Sequence, residues 1–376
     1  MATAEGTAPT FVPARVVVVS GSVGAGHDGV ATELARRLRA EGMAVSVEDQ
    51  LSGLSRAARL TLGGGYLLIL RWAPALYELT CWLVERSRTV QRIADRVCLT
   101  STAWLLRVTA DADLVVATYP PACRALGHLK AVGRLQIPVV AYLTDPGPNF
   151  LWVHPGLDLH LTAAEHTAQE VLDRYGVAAV AAGPLVSSGF RAMSESSRRA
   201  AARQRVRAEL HLGAQDVVAL LLLGSLGIGG VRRTARDLAS AGIRPVVLCA
   251  RNAHLQRRLA RMRGVIALGW REDVPALIAA SDVVINTAGG LSLTESFVVG
   301  VPAVTYAPVA GHGKANARSL ARSGSAPWAR SRRDLVRLVR AQAAAGRAAW
   351  PFEQETAVQQ LLMTVTSSTT EAAARG

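Results

Sequence analysis

Between a β-branched run, Arg15 to Ser20, and an amphipathic segment, Ala31 to Arg39, stand Gly21, Gly24, Gly26 and then His27. Glycines at a strand-to-helix turn let an anion approach the backbone closely, and the N–H groups opening a helix attract negative charge. An imidazole at that place titrates near neutral pH and is suited to take a proton from a hydroxyl. The plainer alternative is a tight turn with His27 as an incidental cap, although histidine is a poor N-cap. A second glycine loop, Gly224-Ser225-Leu226-Gly227-Ile228-Gly229, follows the apolar run beginning at Asp216. A third, Gly289-Gly290, precedes a segment carrying Ser292 and Glu295. Free N–H groups there would hold a diphosphate, with Glu295 accepting hydrogen bonds from the vicinal hydroxyls of a ribose. The same Ser292 and Glu295 spacing also fits a capping box.

These loops need elements to hold them. Strand-like runs alternate with helix-like ones along the chain: Ala112 to Pro121, Ile137 to Pro148, then Asp216 to Gly230, "RPVVLCA", "GVIALGW", "SDVVINTAGG" and "VPAVTYAP". Alternation of this kind builds parallel sheets with crossover helices. An arginine-rich stretch, Ser187 to Arg205, separates two such series, so two doubly wound domains are expected: residues 12–187, residues 188–345, and a C-terminal helix with a tail over 346–376. Ligands of such sheets bind outside the carboxyl ends of the strands, which would put the glycine loops across a shared cleft.

The chain has 376 residues and a net charge of +14, carried almost wholly by arginine, since Lys130 and Lys314 are its lysines. That charge favours anionic partners: nucleotides, nucleic acid or an anionic membrane surface. Cys81, Cys98, Cys123 and Cys249 lack metal spacing, and with no secretory signal before Arg15 they read as reduced thiols of a cytoplasmic protein. His154, His160 and His166 read as structural, and no metal site is expected. Leu60 to Val97 is apolar, aromatic and studded with arginine, and is broken at Pro74. It is too short and interrupted to span a membrane. It reads either as a buried helix pair or as an amphipathic element in a bilayer surface.

A dinucleotide fingerprint fits poorly, because Gly21, Gly24 and Gly26 run G-x-x-G-x-G, although Glu48 and Asp49 stand where a ribose-binding acid would. The stretches "SGSVGAGH", "ALGWREDVPALIAASDVVINTAGGLSLTES" and "GVPAVTYAPVAGHGKAN" instead resemble the monogalactosyldiacylglycerol synthase and processive diacylglycerol glucosyltransferase family, GT-B enzymes related to the N-acetylglucosaminyltransferase of peptidoglycan synthesis. "LGGGYLLILRWAPALYELT" and "YLTDPGPNFLWVHPGLD" resemble its acceptor region and its Thr-Asp turn.

The resemblance implies an α/β GT-B fold, two Rossmann-like domains facing a central cleft. It implies His27 as general base, with Asp145 as second choice or as orienter. On the donor side it implies Gly24, Gly26, Gly224, Ser225, Trp270, Arg271, Val274, Gly289, Gly290, Ser292, Glu295, His312, Lys314 and Asn316; on the acceptor or membrane side, Tyr66, Trp72, Tyr77, Trp82 and Trp152. The implied reaction moves a hexosyl group with inversion from a nucleotide sugar, of uridine diphosphate type, to a lipid such as diacylglycerol. It needs no further cofactor and no nucleic acid, and is expected at the inner face of the cell membrane. Thr287 stands where the family commonly has a basic residue, and His312 and Lys314 replace an amide and an acid, so the sugar contacts must differ. A soluble natural-product transferase is the main alternative; an NAD-dependent oxidoreductase and a non-catalytic nucleotide- or membrane-binding relic are the others.

Overall fold

The computed structural model describes residues 15–22, 25–59, 65–222, 230–287, 289–348, 352 and 354–363. Six parallel strands form the first sheet: β1 (Arg15–Ser20), β2 (Ala44–Asp49), β3 (Leu114–Ala117), β4 (Val139–Leu143), β5 (Leu159–Thr162) and β6 (Val180–Ala181), in the order β2-β1-β3-β4-β5-β6. The second sheet holds β7 (Val218–Leu222), β8 (Arg244–Leu248), β9 (Ile266–Leu268), β10 (Val283–Asn286), β11 (Ala303–Tyr306) and β12 (Trp328–Ala329), in the order β12-β11-β10-β7-β8-β9. Both are covered on two faces, which is why their strands read as unbroken apolar runs. In β1, Val17 and Val19 enter one core while Val16 and Val18 enter the other, as alternate residues of a strand must. The two Rossmann-like domains are thus as expected.

In each sheet the strand order reverses once near the middle, between β1 and β3 and between β7 and β10. The carboxyl ends at those reversals leave crevices between the diverging crossovers, the natural ligand positions of this architecture. The turn holding His27 follows β1, and Gly289-Gly290 follows β10.

The helices Gly65–Trp72, Pro74–Arg86 and Arg88–Leu99 interrupt the first domain between β2 and β3. They are not a buried pair. Leu68, Trp72, Leu76 and Trp82 are about half exposed or more, Trp72 most of all at 74%. Among the described residues, no helix is long and apolar enough to cross a membrane.

The chain end departs from the expected third division at 346–376. Residues 354–363 return to the first domain, where Ala357 and Leu361 are buried in the core of Val16, Val18 and Leu34. The Thr356 N–H donates to the Ala182 carbonyl. Where the chain passes between domains, the buried Glu33 accepts from Arg36, Arg37 and Arg191, and both Arg37 and Arg191 also reach Glu355. A C-terminal segment thereby completes an N-terminal core. Leu361→Ala should destabilise the whole protein by about 2–5 kcal/mol, the cost of a large-to-small core change. Denaturant unfolding checks this; a loss near zero would mean that the returning segment is not packed there.

Candidate functional site

The carboxyl ends of β1, β3 and β4 converge on one half-buried imidazole. His27 is the third residue of the helix Ala25–Ala40, so it lies inside the first turn rather than capping it. Its Nδ1 is 3.0 Å from the Thr118 carbonyl oxygen, beyond the end of β3, and 3.0 Å from Thr144 Oγ1, beyond the end of β4. A carbonyl oxygen only accepts, so Nδ1 carries the proton and Nε2 keeps its lone pair. Tyr119 and Trp152 wall the ring at centroid distances of 5.3 and 5.8 Å. Burial lowers the imidazole pKa below its usual value, against the opposing fields of Asp145 and Asp28. Desolvation disfavours the cation, so the ring is neutral at pH 7 and equipped as a base.

Asp145 is satisfied from both halves of the molecule. Its Oδ2 accepts from Trp152 Nε1 at 3.1 Å, and its Oδ1 accepts from Asn316 Nδ2 at 2.9 Å. Asn316 Oδ1 in turn accepts the Gly147 N–H at 3.1 Å. Two expectations change here. Trp152, expected at the acceptor or membrane side, is fully buried and serves as an indole donor to Asp145. Asn316, expected to meet the donor, is buried with both ends of its amide occupied by the first domain. With each oxygen already accepting, Asp145 fits an orienting and electrostatic role better than that of the base.

On the opposing side the helix Gly290–Val299 opens at Gly289. Ser292 is its third residue, so it caps nothing and the capping box does not form. Gly290 stands where the domains touch: a Cβ there would run into the Thr144 carbonyl. Its need for glycine is therefore a close approach of two backbones. One turn on, Glu295 has no hydrogen bond or ion pair with any described residue, and burial pushes its carboxyl up to about 8. Thr287 is buried, and its Oγ1 lacks a hydrogen-bond partner among the described residues. A neutral hydroxyl thus stands where a cation was missed. Lys314 does not replace it, because its ammonium pairs with Glu78 of the helix Pro74–Arg86.

Donor-side and acceptor-side expectations meet in that same contact. His312 Nδ1 is 3.2 Å from Tyr77 Oη, and Gly311, at φ +68°, packs so closely on Cys81 and Tyr77 that a Cβ would clash. Leu70 and Tyr77 pack on Val309 and Ala310. Trp72 and Trp82 stay on the exposed face, Trp82 under the Arg86 guanidinium at 4.8 Å. Trp270 is 60% exposed beneath Arg251, and Val274 opens the helix Val274–Ala280. Arg271 is held by Asp273 and Glu209, which raises its pKa and makes it a structural ion pair rather than a free donor-binding cation. Gly26 lies 3.8 Å, by its Cβ position, from Leu291 across the cleft. Gly24, Gly224 and Ser225 lie outside the described residues, and Tyr66 falls in the helix Gly65–Trp72 without a described side chain. Sequence reasoning missed Thr118, Thr144, Glu78 and Gly147. Asp49, a candidate ribose acid, instead accepts the N–H groups of Ser22 and Leu51.

The resemblance read from the motifs is matched by comparison with known proteins. The family model for monogalactosyldiacylglycerol (MGDG) synthase matches residues 27–180. A processive diacylglycerol beta-glucosyltransferase of Bacillus cereus is 24% identical over 323 residues, covering 83% of this chain and 81% of the relative. Among solved structures, the glycosyltransferase SnogD of Streptomyces nogalater aligns over 96% of this chain and 99% of its own, with a TM-score of 0.54 at 17% identity. MurG of Acinetobacter baumannii aligns over 94% and 99%, with a TM-score of 0.50 at 15% identity. The fold is GT-B.

The unpartnered Glu295 has a consequence for stability. Its folded pKa is raised above the usual 4.5 to about 8, so the folded state holds a proton that the unfolded state releases. That contribution is complete below the unfolded value and is lost as pH rises through the folded one. Glu295→Gln, which cannot ionise, should therefore remove a fall in melting temperature between about pH 5 and 8. Parallel thermal melts of the two proteins across that range check it. An identical pH dependence would mean that Glu295 is solvated or paired.

Proposed function

We propose that this protein is a glycosyltransferase that moves a hexosyl group from a nucleoside diphosphate sugar, with uridine as the expected base, to the hydroxyl of a diacylglycerol-type lipid. The observation that carries the reading is the neutral His27, with Nε2 unencumbered by the Thr118 contact, in a first domain whose Thr144 carbonyl abuts Gly290, one turn before a Glu295 that is unpaired among the described residues. The names of the relatives support the lipid acceptor, and the exposed apolar helices support a bilayer as its source.

The reaction is a direct displacement. The acceptor O–H gives its proton to His27 Nε2 as its oxygen attacks the anomeric carbon. The bond from that carbon to the diphosphate oxygen breaks with its electron pair, which leaves an inverted glycoside and a nucleoside diphosphate. The Asp145 carboxylate favours the imidazolium as it forms, and the N-terminus of the helix Gly290–Val299 favours the departing negative charge. In this reading Glu295 accepts the ribose hydroxyls, which would stabilise its ionised form.

His27→Ala should cut turnover by about 10²–10⁴-fold, the usual worth of general base catalysis, with melting temperature and nucleotide affinity nearly unchanged. Single-turnover assays with nucleotide sugars and diacylglycerol vesicles test this, and normal turnover would move the base elsewhere. The exposed face yields a second expectation. Vesicle sedimentation should rise with anionic lipid, fall with salt and drop on Trp72→Ser with Leu76→Ser. Equal sedimentation with neutral and anionic vesicles would instead favour a soluble acceptor.

A further inference from the structure

A cavity of about 490 Å³ lies at the carboxyl ends of β11 and β12, lined among others by Arg233, Tyr306, Pro308, Trp328, Arg330 and Arg332. It belongs to the other side of the second sheet. The helices Val231–Ala239 and Arg332–Ala345 pack with Ile285 and Tyr306 in one core, whereas Phe297 and Leu293 of the helix after Gly289 pack with Val284 in the opposite core. The cavity is therefore separate from the cleft that holds His27 and Glu295.

We propose that this cavity binds a phosphate group. Arg233, Arg330 and Arg332 line it, and the carboxylates beside them among the described residues are those of Asp237 and Asp334. Asp237 stands 3.8 Å from the Nε atoms of both Arg233 and Arg332, too far to satisfy either with a direct hydrogen bond. Asp334 is turned to Arg337 and to the backbone N–H of Arg330. Arg332 spends one N–H on Ser240 Oγ at 2.8 Å. Arg330 sets its guanidinium carbon over the Trp328 ring, 3.2 Å from its centroid, so one face of the group is occupied by a contact that spends none of its N–H donors. A guanidinium has five donors, and its fork matches the oxygens of a phosphate. The Arg233 side chain is 77% exposed and takes no other partner among the described residues.

The phosphate could arrive on a soluble ester or on a lipid headgroup, and the fold gives the second a route. Pro308 of the cavity wall directly precedes Val309 and Ala310, which pack on Leu70 of the helix Gly65–Trp72. The outer residues of that helix, Leu68 and Trp72, are the exposed apolar ones. The cavity is thus joined through one short loop to the surface proposed to meet the bilayer, although binding of phosphate itself does not depend on that reading.

The test uses the full chain with uridine diphosphate present throughout, so that the main cleft is occupied. Inorganic phosphate and glycerol 3-phosphate are titrated against chloride at matched ionic strength, with melting temperature as readout. A saturable rise is expected with phosphate and not with chloride. Arg233→Gln with Arg330→Gln should weaken the apparent phosphate affinity at least about tenfold, the scale of a lost charge-assisted contact, while a separate titration with uridine diphosphate alone gives the same melting shift as the unaltered protein. Arg233→Gln alone, at an exposed side chain, provides the same readout should the double variant fold poorly. Vesicles of phosphatidic acid against equally charged sulfatide vesicles distinguish the sources. Selective sedimentation lost in the variant assigns a headgroup, and unchanged sedimentation beside a lost phosphate shift assigns a soluble ester. No shift beyond chloride, or a shift unaltered by the substitutions, overturns the site.

Discussion

A carboxylate partly withdrawn from water needs donors, and at Asp145 they come from two domains. Trp152 supplies one from the first domain and Asn316 supplies the other from the second. Hydrogen bonds to a charged carboxylate are stronger than those between neutral groups, so both donors count. This one requirement sets how the halves meet. Gly290 must come against the Thr144 carbonyl, and Gly147 against the backbone at Ala315, approaches that any side chain would block. Ser319 adds a donor to the Pro146 carbonyl at 2.8 Å, so the helix His312–Arg322 is fixed along the loop that carries Asp145.

From that closure the chemistry of His27 follows. The ring is walled by Tyr119, Trp152 and the turn after β4, and the charges of Asp145 and Asp28 act on it, with His312 as a further titratable neighbour. Desolvation dominates, so the neutral ring is the resting form; the field of Asp145 then helps it to accept a proton when one is offered. The same closure ties the exposed helices to the loop of His312 and Lys314. Tyr77 and Glu78 face His312 and Lys314 from a helix whose other side carries Leu76 and Trp82 in the open. A movement of that helix on a surface cannot leave the loop unchanged.

Much of this was legible in the sequence. The alternation of apolar runs and helical segments sufficed for two parallel sheets, and the glycine turn picked out His27 because the strand, the loop and the helix start are contiguous. Glu295 was legible for the same local reason. What sequence could not carry was the pairing of residues far apart in the chain. The motif around Asn316 points to the donor, whereas its partner in the structure is Asp145, 171 residues away. Trp152 reads as an interfacial aromatic, and nothing in its neighbourhood announces that its indole donates to Asp145. Gly290 is glycine because of a carbonyl in the other domain. The return of Ala357 and Leu361 to the first core likewise depends on tertiary packing, since an amphipathic turn near a chain end has no local sign of which core it completes.

The assignment of His27 as a neutral base with its free lone pair on Nε2 is tested most directly by nitrogen-15 NMR of the imidazole, followed from pH 5 to 8 in the intact protein. A protonated Nδ1 and an unprotonated Nε2 are expected at pH 7, with conversion to the imidazolium only below the usual value of 6.5, because burial lowers the pKa. An imidazolium persisting at pH 7, or the opposite tautomer with the proton on Nε2, would contradict it.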